Sequence, residues 1–133
     1  MTKYRARVAW VHPNKWTITK EPTGIPKPKL SEFREALKAD GWTRFDSYGE
    51  ATRYTELFAL EESGDILELS LQPSFELVVN GKKICTYRAD FQYQNLQGET
   101  IIEDFKGYKT PQYKLKRKLF CALYDGVIHV ETG

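Results

Sequence analysis

Arg88-Ala-Asp-Phe-Gln-Tyr93, a turn at Leu96-Gln-Gly-Glu99, and Thr100-Ile-Ile-Glu-Asp-Phe-Lys106 read as two consecutive strands. Strand side chains alternate between faces, so Tyr87, Ala89, Phe91 and Tyr93 form an apolar row and Asp90 falls on the opposite, polar side. On the second strand Asp104 and Lys106 share a face, while Glu103 and Phe105 share the other. If the strands pair, two carboxylates and one ammonium converge on a single patch.

The flanking sequence supplies the rest of the layout. Leu67–Val79 alternates well enough for one bent strand or two, with Pro73 at the break, since a proline cannot donate to a ladder. Asn80-Gly81 is a hairpin turn into a strand over Lys83–Tyr93. Upstream, Ala51, Tyr54, Leu57 and Phe58, with Leu60, recur at helical spacing from Ser47 to a C-terminal Gly64. Downstream, Thr110-Pro111 provides an N-cap and an N1 proline for a helix through Tyr124. Leu115, Leu119, Ala122 and Leu123 are its expected inward face, and Val127–Glu131 is a last strand. The order is helix, three strands, helix, strand. Before it, residues 4–11 suggest an alternating strand, His12–Lys29 with four prolines an irregular connection, and Ser31–Lys38 a short helix capped by Ser31. Residues 1–42 therefore read as an elaboration on a core spanning 43–133, in one domain of mixed α+β class.

Apolar content of 41% and aromatic content of 14% exclude a disordered chain despite 29% charged residues. No apolar run suits a bilayer crossing or a signal peptide, so a soluble, cytoplasmic protein without membrane partners is expected. Cys85 and Cys121 lack metal-ligand spacing and read as buried free thiols. The net charge of +2 hides a segregation: Asp46–Glu76 holds eight acids and one base, whereas Lys106–Lys118 holds six bases and no acid. A chain so divided suits an anionic partner approached by one face.

Hydrolysing a phosphodiester requires charge stabilisation, an activated water and help for the leaving oxygen, all of which Mg²⁺ or Mn²⁺ held by carboxylates can supply. Magnesium needs few protein carboxylates, because water and phosphate oxygens fill the remaining positions. Asp90 and Asp104 meet that minimum, with Lys106 to position or deprotonate the water. Glu50, on the helical stripe with Tyr54 and Leu57, is a further metal ligand or, in Ser47-Tyr-Gly-Glu50, part of a capping box. Glu56 is a substitute for it, and Gln72 and Glu103 are additional candidates, although Glu103 falls on the packed face. Lys109, Lys114, Lys116, Arg117 and Lys118 form the expected phosphate-binding surface. His12 and His129 flank no acidic motif and read as surface or partly buried residues.

Five blocks carry a family resemblance: Phe45-Asp-Ser-Tyr-Gly-Glu-Ala-Thr-Arg-Tyr54, Leu69-Ser-Leu-Gln-Pro-Ser-Phe75, Tyr87-Arg-Ala-Asp-Phe91, Glu103-Asp-Phe-Lys-Gly107 and Tyr113-Lys-Leu-Lys-Arg-Lys-Leu-Phe120. Over residues 43–130 the chain resembles the PD-(D/E)xK nuclease superfamily, and within it a group of small phage-encoded proteins catalogued as a domain of unknown function. Ala89 stands where the superfamily's name has proline, and Tyr48-Gly49 where the phage group usually carries a charged residue. The resemblance implies a restriction-endonuclease-like core. Glu50 would be its helical acid, Asp90 the first strand acid, Asp104 the second and Lys106 the lysine. It further implies a Mg²⁺- or Mn²⁺-dependent DNA endonuclease acting on branched DNA in recombination or packaging, in the manner of a Holliday junction resolvase and as a homodimer. The competing expectation is a DNA-binding or regulatory protein on the same fold that no longer turns over.

Overall fold

A computed structural model describes residues 7–133 and has a mixed α+β architecture with three helices. The chain forms two compact units, one reaching to Phe58 and the other running from Ala59 to Gly133.

In the first unit, β1 (Ala9–Val11) is the centre of a three-stranded antiparallel sheet, between β2 (Ile18–Lys20) and β3 (Thr43–Phe45). All three β1 residues are buried, so the alternation expected there is absent where it can be followed; residues 4–6 lie outside the described region. Helix α1 (Lys27–Ala39) begins four residues before the expected Ser31, with Pro26 as its N-cap. Pro28 sits in the first turn, where helical amides have no partner and a missing N–H costs nothing. Glu21 ties this unit together: its carboxylate accepts from Trp10 Nε1 at 2.9 Å and from Arg34 through two bonds of 2.8 Å. The Arg34 hydrogen bonds hold Glu21 below the usual carboxylate range, against burial, which pushes it up. Helix α2 (Tyr48–Glu62) follows with Ala51, Tyr54 and Leu57 buried, as its spacing implies.

In the second unit, β4 (Leu67–Leu71), β7 (Phe91–Gln94), β8 (Thr100–Phe105) and β9 (Ile128–Thr132) lie side by side in that order. β8 is antiparallel to β7 and parallel to β9. β5 (Ser74–Val79) and β6 (Lys82–Arg88) form a separate hairpin, turning through Asn80 and Gly81 at φ 51° and 77°. Both central positions of that turn need positive φ, which Asn-Gly supplies.

The expected continuous strand over Lys83–Tyr93 is instead broken at Ala89-Asp90. Its partner breaks at the same level, where Gln72 takes a φ of 51° before Pro73. Two backbone bonds bridge the corner, Gln72 N–H to Asp90 C=O at 2.9 Å and Ala89 N–H to Pro73 C=O at 3.1 Å. The paired strands thus turn together, and Asp90 occupies the corner.

Helix α3 (Pro111–Leu123) starts where the sequence indicates, with Thr110 Oγ1 accepting from Tyr113 N–H at 3.0 Å. Its inward face keeps Leu119, as expected, but not the other three residues. Leu115 is 69% exposed and Leu123 and Ala122 are also exposed, whereas Phe120 is fully buried among Phe75, Tyr87 and Tyr124. Tyr113, Leu119 and Tyr124 complete that face; the large aromatic rings, rather than the leucines, select the side of the helix that packs. Cys85 is half-buried and Cys121 exposed, so the second thiol does not belong to the core as expected.

Candidate functional site

Strand β8 carries Asp104, and Lys106 follows directly after its end with Nζ 3.9 Å from Asp104 Oδ1. Asp90 reaches the same strand from the corner: its Oδ2 accepts from the Phe105 amide, between those two residues, at 2.7 Å. Asp90, Asp104 and Lys106 are therefore neighbours through β8. Glu50 lies in the first unit, at the third position of α2, buried and with its amide donating to Ser47 Oγ at 3.0 Å. The serine half of the expected capping box is formed. Glu56 is exposed and pairs with Arg53 at 3.0 Å.

Asp104 is completely buried, and its two oxygens live in different surroundings. Oδ2 accepts from the Tyr87 hydroxyl and lies 3.1 Å from His129 Nε2 and 3.3 Å from the Tyr113 hydroxyl. Oδ1 has no hydrogen-bond partner. An unsatisfied buried carboxylate oxygen costs roughly 1–3 kcal/mol or more, so such atoms call for an explanation.

His129, partly buried as expected, belongs to this cluster. The parallel register places it opposite Ile102, two residues from Asp104, with Nε2 2.8 Å from the Tyr87 hydroxyl. Tyr113 donates to Glu131 Oε2 at 2.9 Å, and Arg117 and Lys109 also pair with Glu131. Burial and the Asp104 charge push Tyr113 far above the ordinary tyrosine range. Burial also pushes Glu131 up, but the Tyr113 hydrogen bond and the Arg117 and Lys109 charges outweigh it and leave Glu131 lowered. None of Tyr87, Tyr113, His129 or Glu131 was marked by sequence pattern as part of the site. Tyr87 and Tyr113 open two of the quoted blocks, whereas His129 and Glu131 lie on a last strand whose pairing partner local pattern does not reveal.

The remaining candidates divide. Glu103 is buried and satisfied, accepting from Tyr93 at 2.8 Å and Thr132 at 3.4 Å, as suits the packed face. Gln72 shapes the corner through its backbone and is exposed. Lys116 donates to the Thr86 carbonyl at 3.2 Å, while Lys114 and Lys118 stand exposed. Lys109 and Arg117 share Glu131, which moderates the positive charge of this surface. A shallow pocket of about 270 Å³ opens beside α3, lined by Thr86, Arg88, Thr110, Gln112 and Lys116 with Tyr87 and Tyr113. Its only charged lining groups are cations.

Among the described residues, no group of three or more acidic, histidine or cysteine side chains is arranged to hold a metal by itself. The donors that fit a hard cation are fewer: Asp104 Oδ1, orphaned and buried, with the Asp90 carboxylate reaching the adjoining backbone. Oxygen donors in small number suit magnesium or manganese and disfavour zinc. No helix among the described residues is long and apolar enough to cross a membrane.

Residues 34–130 match a family described as "Protein of unknown function (DUF1064)". No curated protein and no solved structure matches the chain.

Proposed function

The chain belongs to the DUF1064 family, and from that premise and the geometry of β8 we propose that it is a Mg²⁺- or Mn²⁺-dependent DNA endonuclease. The observation that carries the reading is Asp104 Oδ1, buried without a hydrogen-bond partner and 3.9 Å from Lys106 Nζ. The succession α2, β4–β5, β6–β7, β8, α3, β9, with β8 and β9 parallel, supports a restriction-endonuclease-like core.

When bound, the cation supplies Lewis-acid stabilisation of the charge that develops on the phosphate. Asp104 offers Oδ1 to it, and Asp90 is the second carboxylate. Lys106 orients the attacking water and balances charge at the reacting phosphate. Arg88 and Lys116 in the pocket, with exposed Lys114 and Lys118, hold the flanking phosphates without reading sequence. Glu50 is the helical acid of this reading. Branched DNA of phage recombination or packaging is the substrate class, a cytoplasmic one in a bacterial host, with a homodimer as the working form; these points rest on fold-level analogy.

One observation favours a second reading. Asp104 is 0% exposed, which suits a structural role in a DNA-binding or regulatory protein without turnover. Measuring DNA binding and cleavage separately for Asp90→Asn and Lys106→Ala discriminates the two. The nuclease reading expects both variants to bind and neither to cut; if the folded wild type also binds without cutting, the regulatory reading replaces it.

A further inference from the structure

Three side chains from three different elements meet at one oxygen of Asp104: Tyr87 from β6, Tyr113 from α3 and His129 from β9. All three approach Oδ2 and none approaches Oδ1. The available protons fix the roles. Tyr87 spends its single hydroxyl proton on Oδ2. Tyr113 directs its own toward Glu131, at 2.9 Å, and only approaches Oδ2 at 3.3 Å. His129 Nε2 faces two oxygens, Tyr87 Oη at 2.8 Å and Asp104 Oδ2 at 3.1 Å, so the pattern closes only if Nε2 carries a proton. Packing holds the donors in place, since the Tyr87 and His129 rings flank fully buried Phe120 at 4.8 Å and 6.0 Å.

We infer that Tyr87 and His129 are positioning residues that lock Asp104 through Oδ2, so that a divalent cation receives Oδ1 alone. The inference rests on the metal-dependent reading proposed above. A one-oxygen ligand favours small ions that demand octahedral geometry and keep most of their water. Calcium, by contrast, accepts carboxylates through both oxygens and in looser shells. The lock is thus a selectivity device: it sets which cation the carboxylate prefers, beyond holding the carboxylate still. Outer partners of this kind are worth about 10–100-fold in metal affinity.

The test uses the full chain without DNA. Mn²⁺ binding is titrated by electron paramagnetic resonance and Ca²⁺ binding by competition against it, for wild type, Tyr87→Phe, His129→Phe, His129→Gln and Asp104→Asn. Folding of each variant is checked by circular dichroism. The expected result is Mn²⁺ binding by wild type and its loss in Asp104→Asn. Tyr87→Phe and His129→Phe should lose roughly 10-fold or more in Mn²⁺ affinity but little in Ca²⁺ affinity. His129→Gln, which keeps an N–H donor, should restore the preference for Mn²⁺. A purely structural role would weaken both ions alike and leave the ratio unchanged. An unchanged ratio in folded variants overturns this inference and leaves the nuclease reading standing. No Mn²⁺ binding by wild type, or equal binding by Asp104→Asn, overturns both. If Tyr87→Phe does not fold, the His129 pair decides alone.

Discussion

Phe120→Ala should remove the keystone of the second unit's core. The side chain is fully buried and its ring lies 4.7 Å from Phe75, 4.8 Å from Tyr87 and 5.0 Å from Tyr124, centroid to centroid. Truncation deletes a ring covering roughly 150 Å² of apolar surface, which at about 25 cal/mol per Å² is close to 4 kcal/mol. Core Phe→Ala changes run about 3–5 kcal/mol, because the cavity left behind only partly collapses. Against a total of about 5–15 kcal/mol, the loss consumes much of the stability of a domain this size. Urea unfolding followed by circular dichroism measures it as a lower midpoint with an unchanged slope. Phe120→Leu should lose less, because it keeps most of the volume. A loss below about 1 kcal/mol for Phe120→Ala, in the range of ordinary exposed sites, would refute this assignment of the core.

Leu115→Ser should change stability by no more than about 0.5 kcal/mol, since the side chain is 69% exposed; the same urea experiment decides it. Glu131 and Tyr113 should give the unfolding midpoint two pH limbs. Glu131 is lowered, so its contribution is present above the ordinary glutamate value of about 4.3 and lost as pH falls through its folded value. Tyr113 is raised, so its contribution is present below about pH 10 and lost as pH climbs above it. Glu131→Gln should flatten the acid limb and Tyr113→Phe the alkaline one, as read from midpoints across pH. Lys114→Ala and Lys118→Ala should each weaken DNA binding uniformly across sequences and lower the salt slope by roughly one, measured by fluorescence anisotropy at several salt concentrations.

Local chemistry made much of the fold legible. Asn80-Gly81 allows few conformations other than a tight hairpin turn, and Thr110-Pro111 announces a helix start whether or not anything packs against it. Pro73 marks a strand break by lacking a donor. The break at Ala89-Asp90 was hidden, because its cause lies on the partner strand, where Gln72 adopts positive φ. The start of α1 lies earlier than its spacing suggests because Pro26 and Pro28, which break a strand or a helix interior, suit an N-cap and a first helical turn. On α3 the leucine spacing suggested one face, but Tyr113, Phe120 and Tyr124 present more apolar surface and occupy the interior.

The candidate site was legible where it depends on alternation along one strand, which places Asp104 beside Lys106. His129 and Glu131 were not, since only the parallel register of β8 and β9 brings them level with Ile102 and Asp104. The anionic counterweight to the basic helix was missed for the same reason. Charge read along residues 106–118 could not include a carboxylate arriving from β9.

The central claim, that Asp104 supports metal-dependent DNA cleavage, is tested most directly by incubating the protein with a labelled four-way junction and its matched linear duplex. The arms contain Mg²⁺, Mn²⁺ or EDTA, with Asp104→Asn alongside. The expected result is junction cutting by wild type with either metal and none in EDTA or in the folded variant. No cutting by folded wild type with either metal, or equal cutting by Asp104→Asn, would contradict it.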